Sequence, residues 1–250
     1  MKLRKIVENQ EIDYENVYKW IVDNCRDVDG MKLETFDLKG FTVGTNTNDE
    51  IYINVKEYFM IKSDAEYLPY KFNKCADFVL YMPNLKDCSM FPNILTGFDD
   101  DIELHGCNSL DFGTFPTFYH RIRLTLDNFL NITIAEIFKN QTISIDTMIV
   151  GNCYAVDLHD CDQWDTIKTK YLSFDCVRPL KNFTHILDIP ASRLKTFELK
   201  RMNRNSYYDQ KTVDMLNRLI RRYREDRHNA SDYIMDMTLA LIDLGFEDMI

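Results

Sequence analysis

Asp157, His159, Asp160, Asp162 and Asp165 fall within nine positions, four of them in the run Asp-Leu-His-Asp-Cys-Asp. Carboxylates and imidazole are ligands that a divalent metal takes, and the thiol of Cys161 among them adds nucleophilic chemistry. A small metal-dependent or thiol-dependent enzyme could be built on residues 157–165. On an extended strand, however, Asp157, His159 and Cys161 would share one face while Asp160 and Asp162 point to the other. A polar loop at a solvated edge accounts for the same residues without any chemistry.

A second acidic group, Asp99, Asp100, Asp101 and Glu103, precedes a strand-like run. A calcium loop needs several oxygens at alternating positions and a glycine at its sharp turn. Gly97 is near, but the alternation is missing, and a charged return loop fits better. His105, His120, His159 and His185 recur along the chain with Cys107 and Cys161 close by, the raw material of a Cys–His nucleophile pair. No local signature of a thiol enzyme surrounds any of them. Thiols at a regular place in a repeat fit a packed core.

The strongest electrostatic signal lies in residues 193–228, with eleven Lys and Arg against five Asp and Glu. That stretch carries +6, so the remainder of a chain of net charge −10 carries −16. Arg218, Arg221 and Arg222 concentrate it on one helix. A docking patch for an acidic partner, or a nucleic-acid site, would look like this. So would a solvated helix face that offsets an acidic scaffold. The net negative charge disfavours nucleic-acid or anionic-membrane binding by the surface as a whole.

The elements that would position these residues follow from composition and pattern. With 250 residues, 45% hydrophobic and 13% aromatic, the chain is globular and can bury a sizeable core. Eight glycines and six prolines leave little for flexible linkers. No apolar run approaches the length of a membrane-crossing helix, so no membrane span is expected. The basic start, Met1 to Glu8, has no apolar stretch behind it and does not read as a secretory signal. Seven cysteines without a CxxC are then expected as reduced thiols in a cytoplasmic protein.

From residue 78 to 199 a short unit returns: apolar, any, apolar. It is read at Phe78-Val79-Leu80, Ile102-Glu103-Leu104, Ile122-Arg123-Leu124, Ile143-Ser144-Ile145, Tyr171 to Phe174 and Leu194 to Phe197. Successive units start between twenty and twenty-eight positions apart. A period in the twenties is the signature of a leucine-rich-repeat-like solenoid. The middle residue of each unit, among them Glu103, Arg123 and Ser144, is expected to point outward. Leu85, Leu110, Leu130 and Leu180 are expected at a common inward place, with Phe91-Pro92, Phe115-Pro116 and Ile189-Pro190 on the return side, where proline's missing N–H costs no ladder bond. Residues 151–164 are less regular and are expected to hold either an insertion or one further strand at 156–158. Ahead of the repeats, a helix over 13–25 carries Tyr14, Val17, Tyr18, Ile21 and Cys25 on one face, with Asp13 as its cap. Strand-like runs follow at 33–38, 41–43 and 51–55, the last two joined by a turn at 44–49. After residue 200, Thr212 is expected to cap one amphipathic helix and Ser231 a second, which Gly245 closes.

The unit Asn84-Leu85…Cys88…Phe91-Pro92, followed by Ile102-Glu103-Leu104-His105-Gly106-Cys107-Asn108-Ser109-Leu110, resembles degenerate leucine-rich-repeat proteins, including short-repeat versions found in phage genomes. The abundance of Asn, Asp, Ile, Lys, Tyr and Phe has the flavour of an AT-rich genome such as a phage's. The resemblance implies a binding scaffold with no catalytic residue and no cofactor. The expected fold is α+β: a leucine-rich-repeat-like β-solenoid of short strands with an N-terminal helical cap and a C-terminal two-helix cap. Residues 1–60 would form the entry cap with irregular first strands, 61–200 the solenoid and 201–250 the helical exit cap. The expected function is binding of a protein partner through the solenoid face, with Glu103, Arg123, Ser144, Arg218, Arg221 and Arg222 as contact residues. In a phage that partner would be a host protein, for instance a defence component, blocked by occlusion.

Overall fold

In the computed structural model the chain is described over residues 14–27, 29–33, 35–48, 50–97, 100–116, 121–134, 137, 145–158, 169–178, 180–188, 194–201, 204, 206–225 and 230–250. Helix α1 (Tyr14–Asn24) buries Val17 and Ile21, four residues apart on one stripe. It leads into β1 (Cys25–Arg26), whose Cys25 is also buried. The stretch 33–38, expected as a strand, instead ends in a 3₁₀ turn over Thr35–Gly40. The reason is where the hairpin starts. The Gly40 carbonyl accepts from the Lys56 N–H, so the ladder begins there and the preceding backbone closes on itself. Strands β2 (Phe41–Thr45) and β3 (Ile51–Val55) then pair antiparallel. The expected turn joins them, with the Asn46 side-chain oxygen accepting from the backbone N–H groups of Asn48 and Glu50.

From there the chain winds as a β-solenoid. One face collects β4 (Met60–Lys62), β6 (Phe78–Tyr81), β8 (Asp101–His105), β9 (Ile122–Asp127), β11 (Ile145–Cys153), β13 (Tyr171–Cys176) and β14 (Thr196–Leu199). With β1 at its entry edge this is an eight-stranded sheet, antiparallel only between β1 and β4 and parallel elsewhere. The other side collects β5 (Lys71–Cys75) and β7 (Ile94–Leu95) beyond β3, and the parallel pair β10 (Asn131–Thr133) and β12 (Ala155–Asp157). Single parallel bridges, Asp87 to Asp111 and Asp157 to Lys181, continue that side. From β3 to β8 and from β9 to β13 consecutive strands alternate between the two sides, and between β8 and β9 and between β13 and β14 the bridge residues Asp111 and Lys181 stand in on the second side, so each coil shelters the next.

The register corrects the repeat. Met60 lies opposite Val79, then Val79 opposite Glu103, Glu103 opposite Thr125, Thr125 opposite Ile149, Ile149 opposite Ser173 and Ser173 opposite Glu198. The equivalent units are therefore Phe78-Val79-Leu80, Ile102-Glu103-Leu104, Leu124-Thr125-Leu126, Met148-Ile149-Val150, Leu172-Ser173-Phe174 and Phe197-Glu198-Leu199. Aligned in this way, they recur more evenly than the sequence pattern suggests. Strand β9 has three inward residues, Ile122, Leu124 and Leu126, so a short apolar template fits it in two registers and the pattern alone picks the wrong one. Leu130 is a second correction. Strand β10 sets Ile132 opposite Val156, and the bridge after β12 sets Val156 level with Leu180. Leu130 is thus two residues off the inward place and is 59% exposed, while Leu85 and Leu180 are buried as expected.

Between the faces runs a line of phenylalanines. Ring centroids lie 5.6 Å apart for Phe41–Phe59, 5.7 Å for Phe59–Phe72, 5.1 Å for Phe72–Phe78, 5.0 Å for Phe78–Phe91 and 5.5 Å for Phe91–Phe115. The turns leaving the long sheet also stack. Gly106, Asn128 and Asn152, each two residues past the last inward residue of its unit, have φ of 67°, 59° and 48°. Glycine and asparagine are the residues that take this left-handed conformation most readily.

At the exit, α2 (Gln210–Glu225) and α3 (Ala230–Asp243) pack on the last coil. Asp209, not Thr212, caps α2: its carboxylate accepts from the Thr212 N–H at 2.7 Å. Helix α3 begins at Ala230, one residue ahead of the expected Ser231 cap, and Gly245 closes it at φ 73°. Val213, Leu216 and Ile220 turn inward. Among them Asn217 donates to the Leu199 carbonyl and accepts from the Leu199 N–H, both at 2.8 Å. The side-chain amide thus takes the place of a further rung on the open edge of β14. No helix among the described residues is long and apolar enough to cross a membrane.

Candidate binding face

Each rung of the long sheet presents side chains outward in up to three rows. The row through the middle positions runs Met60, Val79, Glu103, Thr125, Ile149, Ser173, Glu198, of which Val79 and Ser173 are buried. Two residues earlier lie Asp101, Arg123, Thr147, Tyr171 and Thr196, and two residues later Lys62, Tyr81, His105 and Asp127. Alternation along the strands sends these outward because their neighbours fill the core.

His105 is the centre of the later row. Its ring stacks on Tyr81 with centroids 4.1 Å apart and planes 7° from parallel. Its Nδ1 lies 3.2 Å from Asp127 Oδ2 and its Nε2 3.2 Å from Glu103 Oε2. Asp127 in turn accepts from Asn152 at 2.9 Å and from Asn128 at 2.6 Å. Burial opposes a charge on the imidazole, but the two carboxylates outweigh it and hold its pKa at about 9, so the ring is a cation at neutral pH. In the earlier row Asp101 is 7% exposed and meets Arg123 Nε at 3.3 Å and the Thr125 hydroxyl at 3.4 Å. Burial, together with Glu103, still raises its pKa to about 7 against the pull of Arg123. Further along, the Tyr171 hydroxyl donates to Glu198 at 2.7 Å, and the Lys200 ammonium lies 5.2 Å from the Tyr171 ring.

These shifts carry a pH dependence of one sign. Between about pH 6.5 and 9 the fold keeps a proton on His105 that the unfolded chain has released, and between about 4 and 7 it does the same at Asp101. Stability from both groups is present at low pH and is lost as pH rises through the folded values. For His105 the loss between pH 6.5 and 9 is at most about 3 kcal/mol. Thermal melts should show the midpoint falling over that interval, and His105→Gln should flatten the fall. Parallel melting curves for the two proteins would show that the ion pairs contribute nothing.

Of the residues singled out in the sequence, Glu103 and Arg123 both lie on this face but in different rows, because Arg123 pairs opposite Asp101 and Glu103 opposite Thr125. Ser144 lies outside the described residues. Arg218, Arg221 and Arg222 are exposed on α2, beside the acidic helix α3, so the hairpin offers a polyanion a mixed field and not a basic stripe. Of the 157–165 cluster, Asp157 ends β12 and accepts from the Asn182 side chain at 2.7 Å, while His159, Asp160, Cys161, Asp162 and Asp165 lie outside the described residues, as do Asp99 and His120. Among the described residues no three His, Cys, Asp or Glu side chains are grouped to hold a metal. Six described cysteines are buried. Burial raises the thiol pKa of Cys107 to about 11 and of Cys25 and Cys153 to about 12, which leaves them un-ionised at neutral pH. The Cys107 thiol donates to the His105 carbonyl and not to its ring. What the apolar pattern misses is the Tyr81–His105–Asp127 row, although its members recur at the same intervals as the core units beside them.

Compared with known proteins, the chain matches no family model, no curated protein and no solved structure.

Proposed function

We propose that the chain is a scaffold that binds a protein partner on the outer face of its long sheet, around β6, β8 and β9. The observation that carries this reading is the pre-paired row: Glu103, His105, Asp127 and Asn152 are bonded across three strands before any partner arrives, so little side-chain freedom is left to lose on docking. Tyr58, 37% exposed, and Tyr81 supply aromatic anchors beside the charged groups. Burial and nearby carboxylates, Glu103 first among them, raise both phenols, so they act as neutral hydroxyls. Arg123 adds a guanidinium to the same face. The reading takes the coils as degenerate leucine-rich repeats, supported by the Leu, Cys and Phe-Pro order of residues 84–92, and the chain as phage-encoded, supported by its composition. The partner would then be a host protein held inactive by occlusion.

The test is capture of a partner with the parent chain and with Glu103→Lys plus Asp127→Lys. One retained protein, bound about tenfold or more weakly by the double variant, is the expected result. Retention that the double variant leaves intact but Arg218→Glu abolishes would move the site to the exit helices. No retained protein, together with turnover of a small molecule, would end the scaffold reading.

A further inference from the structure

The exit helix α3 carries two apolar stripes where a surface helix needs one. Ile234, Met237 and Leu241 turn toward the solenoid, with Met237 and Leu241 fully buried. Met235, Leu239 and Ile242, at the same four-and-three spacing, are 59%, 52% and 43% exposed. At about 100° per residue the second stripe lies roughly a third of a turn around the helix from the first. Past the helix end Leu244 and Ile250 are exposed as well. A contiguous exposed row of long aliphatic side chains is an interaction surface in a folded domain.

The charges around it say what covers it. Residues 230–250 contain five carboxylates, Asp232, Asp236, Asp243, Glu247 and Asp248, and no basic residue. Asp236 and Asp243 run along the flank of the exposed stripe. The neighbouring helix α2 has the opposite balance, with Lys211, Arg218, Arg221, Arg222 and Arg224 against Asp214 and Glu225. Lys211, Arg218, Arg221 and Arg222 are exposed while Val213, Leu216 and Ile220 fill the inward stripe, so the basic residues too face away from the solenoid. Arg218 and Arg221 each set their Nε on the carbonyl four residues back, Asp214 and Asn217, which steadies their stems. One surface thus offers an apolar row, an acidic flank and a basic helix. That set complements itself under a two-fold rotation, as an isologous interface requires.

From this we infer that the exit hairpin is the dimer interface of the protein, with a second copy of the chain as its occupant. The Met235–Leu239–Ile242 row packs antiparallel on its own equivalent, and the acidic flank of one copy meets the α2 arginines of the other. The four helices close as a bundle, and the outer faces of the two solenoids remain free. A foreign basic helix could use the same charges, and the experiment separates the two cases.

Sedimentation equilibrium on the full chain alone, with no other protein present, is the measurement. The parent is expected to reach a dimer at micromolar concentration. Leu239→Asp should weaken it at least a hundredfold, with the far-UV spectrum unchanged because Leu239 is already half exposed. Arg218→Glu should weaken the dimer about tenfold, and adding Asp236→Arg to it should restore the parent affinity, since the swapped charges meet again across the two-fold. A chain that is monomeric throughout the concentration range, or a dimer that Leu239→Asp and Arg218→Glu both leave intact, overturns the inference. Partner capture by the sheet face is read separately, with Glu103→Lys plus Asp127→Lys, neither of which lies on the exit hairpin.

Discussion

Asn217→Leu is expected to destabilise the protein by about 2–5 kcal/mol, the effect of stranding one buried N–H and one buried C=O together. Asn217 is 8% exposed, and its amide is the partner of both backbone groups of Leu199. Leucine is close to it in size and suits the apolar surroundings of Val213, Leu216 and Ile220, so packing is kept while both bonds are removed. Asn217→Asp separates the two contributions: a carboxylate still accepts from the Leu199 N–H but faces the carbonyl with a second acceptor. The denaturant midpoint measures the total. Hydrogen exchange at the Leu199 amide measures where it acts, because loss of the cap should open β14 before the coils behind it. A midpoint within about 0.5 kcal/mol of the parent, with Leu199 still protected, would mean that the helix covers the edge without capping it.

The second large effect is expected at Phe78. Its ring lies 5.0 to 6.0 Å from those of Phe59, Phe72 and Phe91 and is fully buried between the two sides of the coil. Phe78→Ala removes a ring that three neighbours on different strands and turns rest against, and parallel strands cannot collapse across the gap without breaking register. A loss of about 3–5 kcal/mol is expected, against about 1 kcal/mol for Phe78→Leu, which keeps most of the buried area. Denaturation of both variants beside Phe91→Ala would check the account. The Phe78→Ala and Phe91→Ala losses should fail to add, because each substitution already forfeits their shared contact. Simple additivity would mean that the aromatic line is a row of independent side chains.

Much of the scaffold was legible in the chain itself. The alternation of apolar and variable residues made Phe78-Val79-Leu80 and Ile102-Glu103-Leu104 strand units, since a period of two has no other use in so short a run. Their return every twenty-odd positions implied stacked coils, and the spacing of Val17 and Ile21, and of Val213, Leu216 and Ile220, implied helices at the ends. These are local properties, determined by where side chains point from a regular backbone. Register is not local. Strand β9 offers Ile122, Leu124 and Leu126 with similar hydrophobicity, and only pairing with Asp101 to His105 decides that Leu124 and Leu126 are level with Ile102 and Leu104. That choice also sets Arg123 against Asp101 instead of Glu103. Pairing on the other side of the coil sends Leu130 to the surface in the same way. The proposed binding face depends on register entirely: Tyr81, His105, Asp127 and Asn152 are scattered over seventy-two positions and meet because parallel strands about 4.8 Å apart bring them side by side. Residue types and periods determine that coils form and which residues fill them; the hydrogen-bonded register between coils decides which polar residues become neighbours.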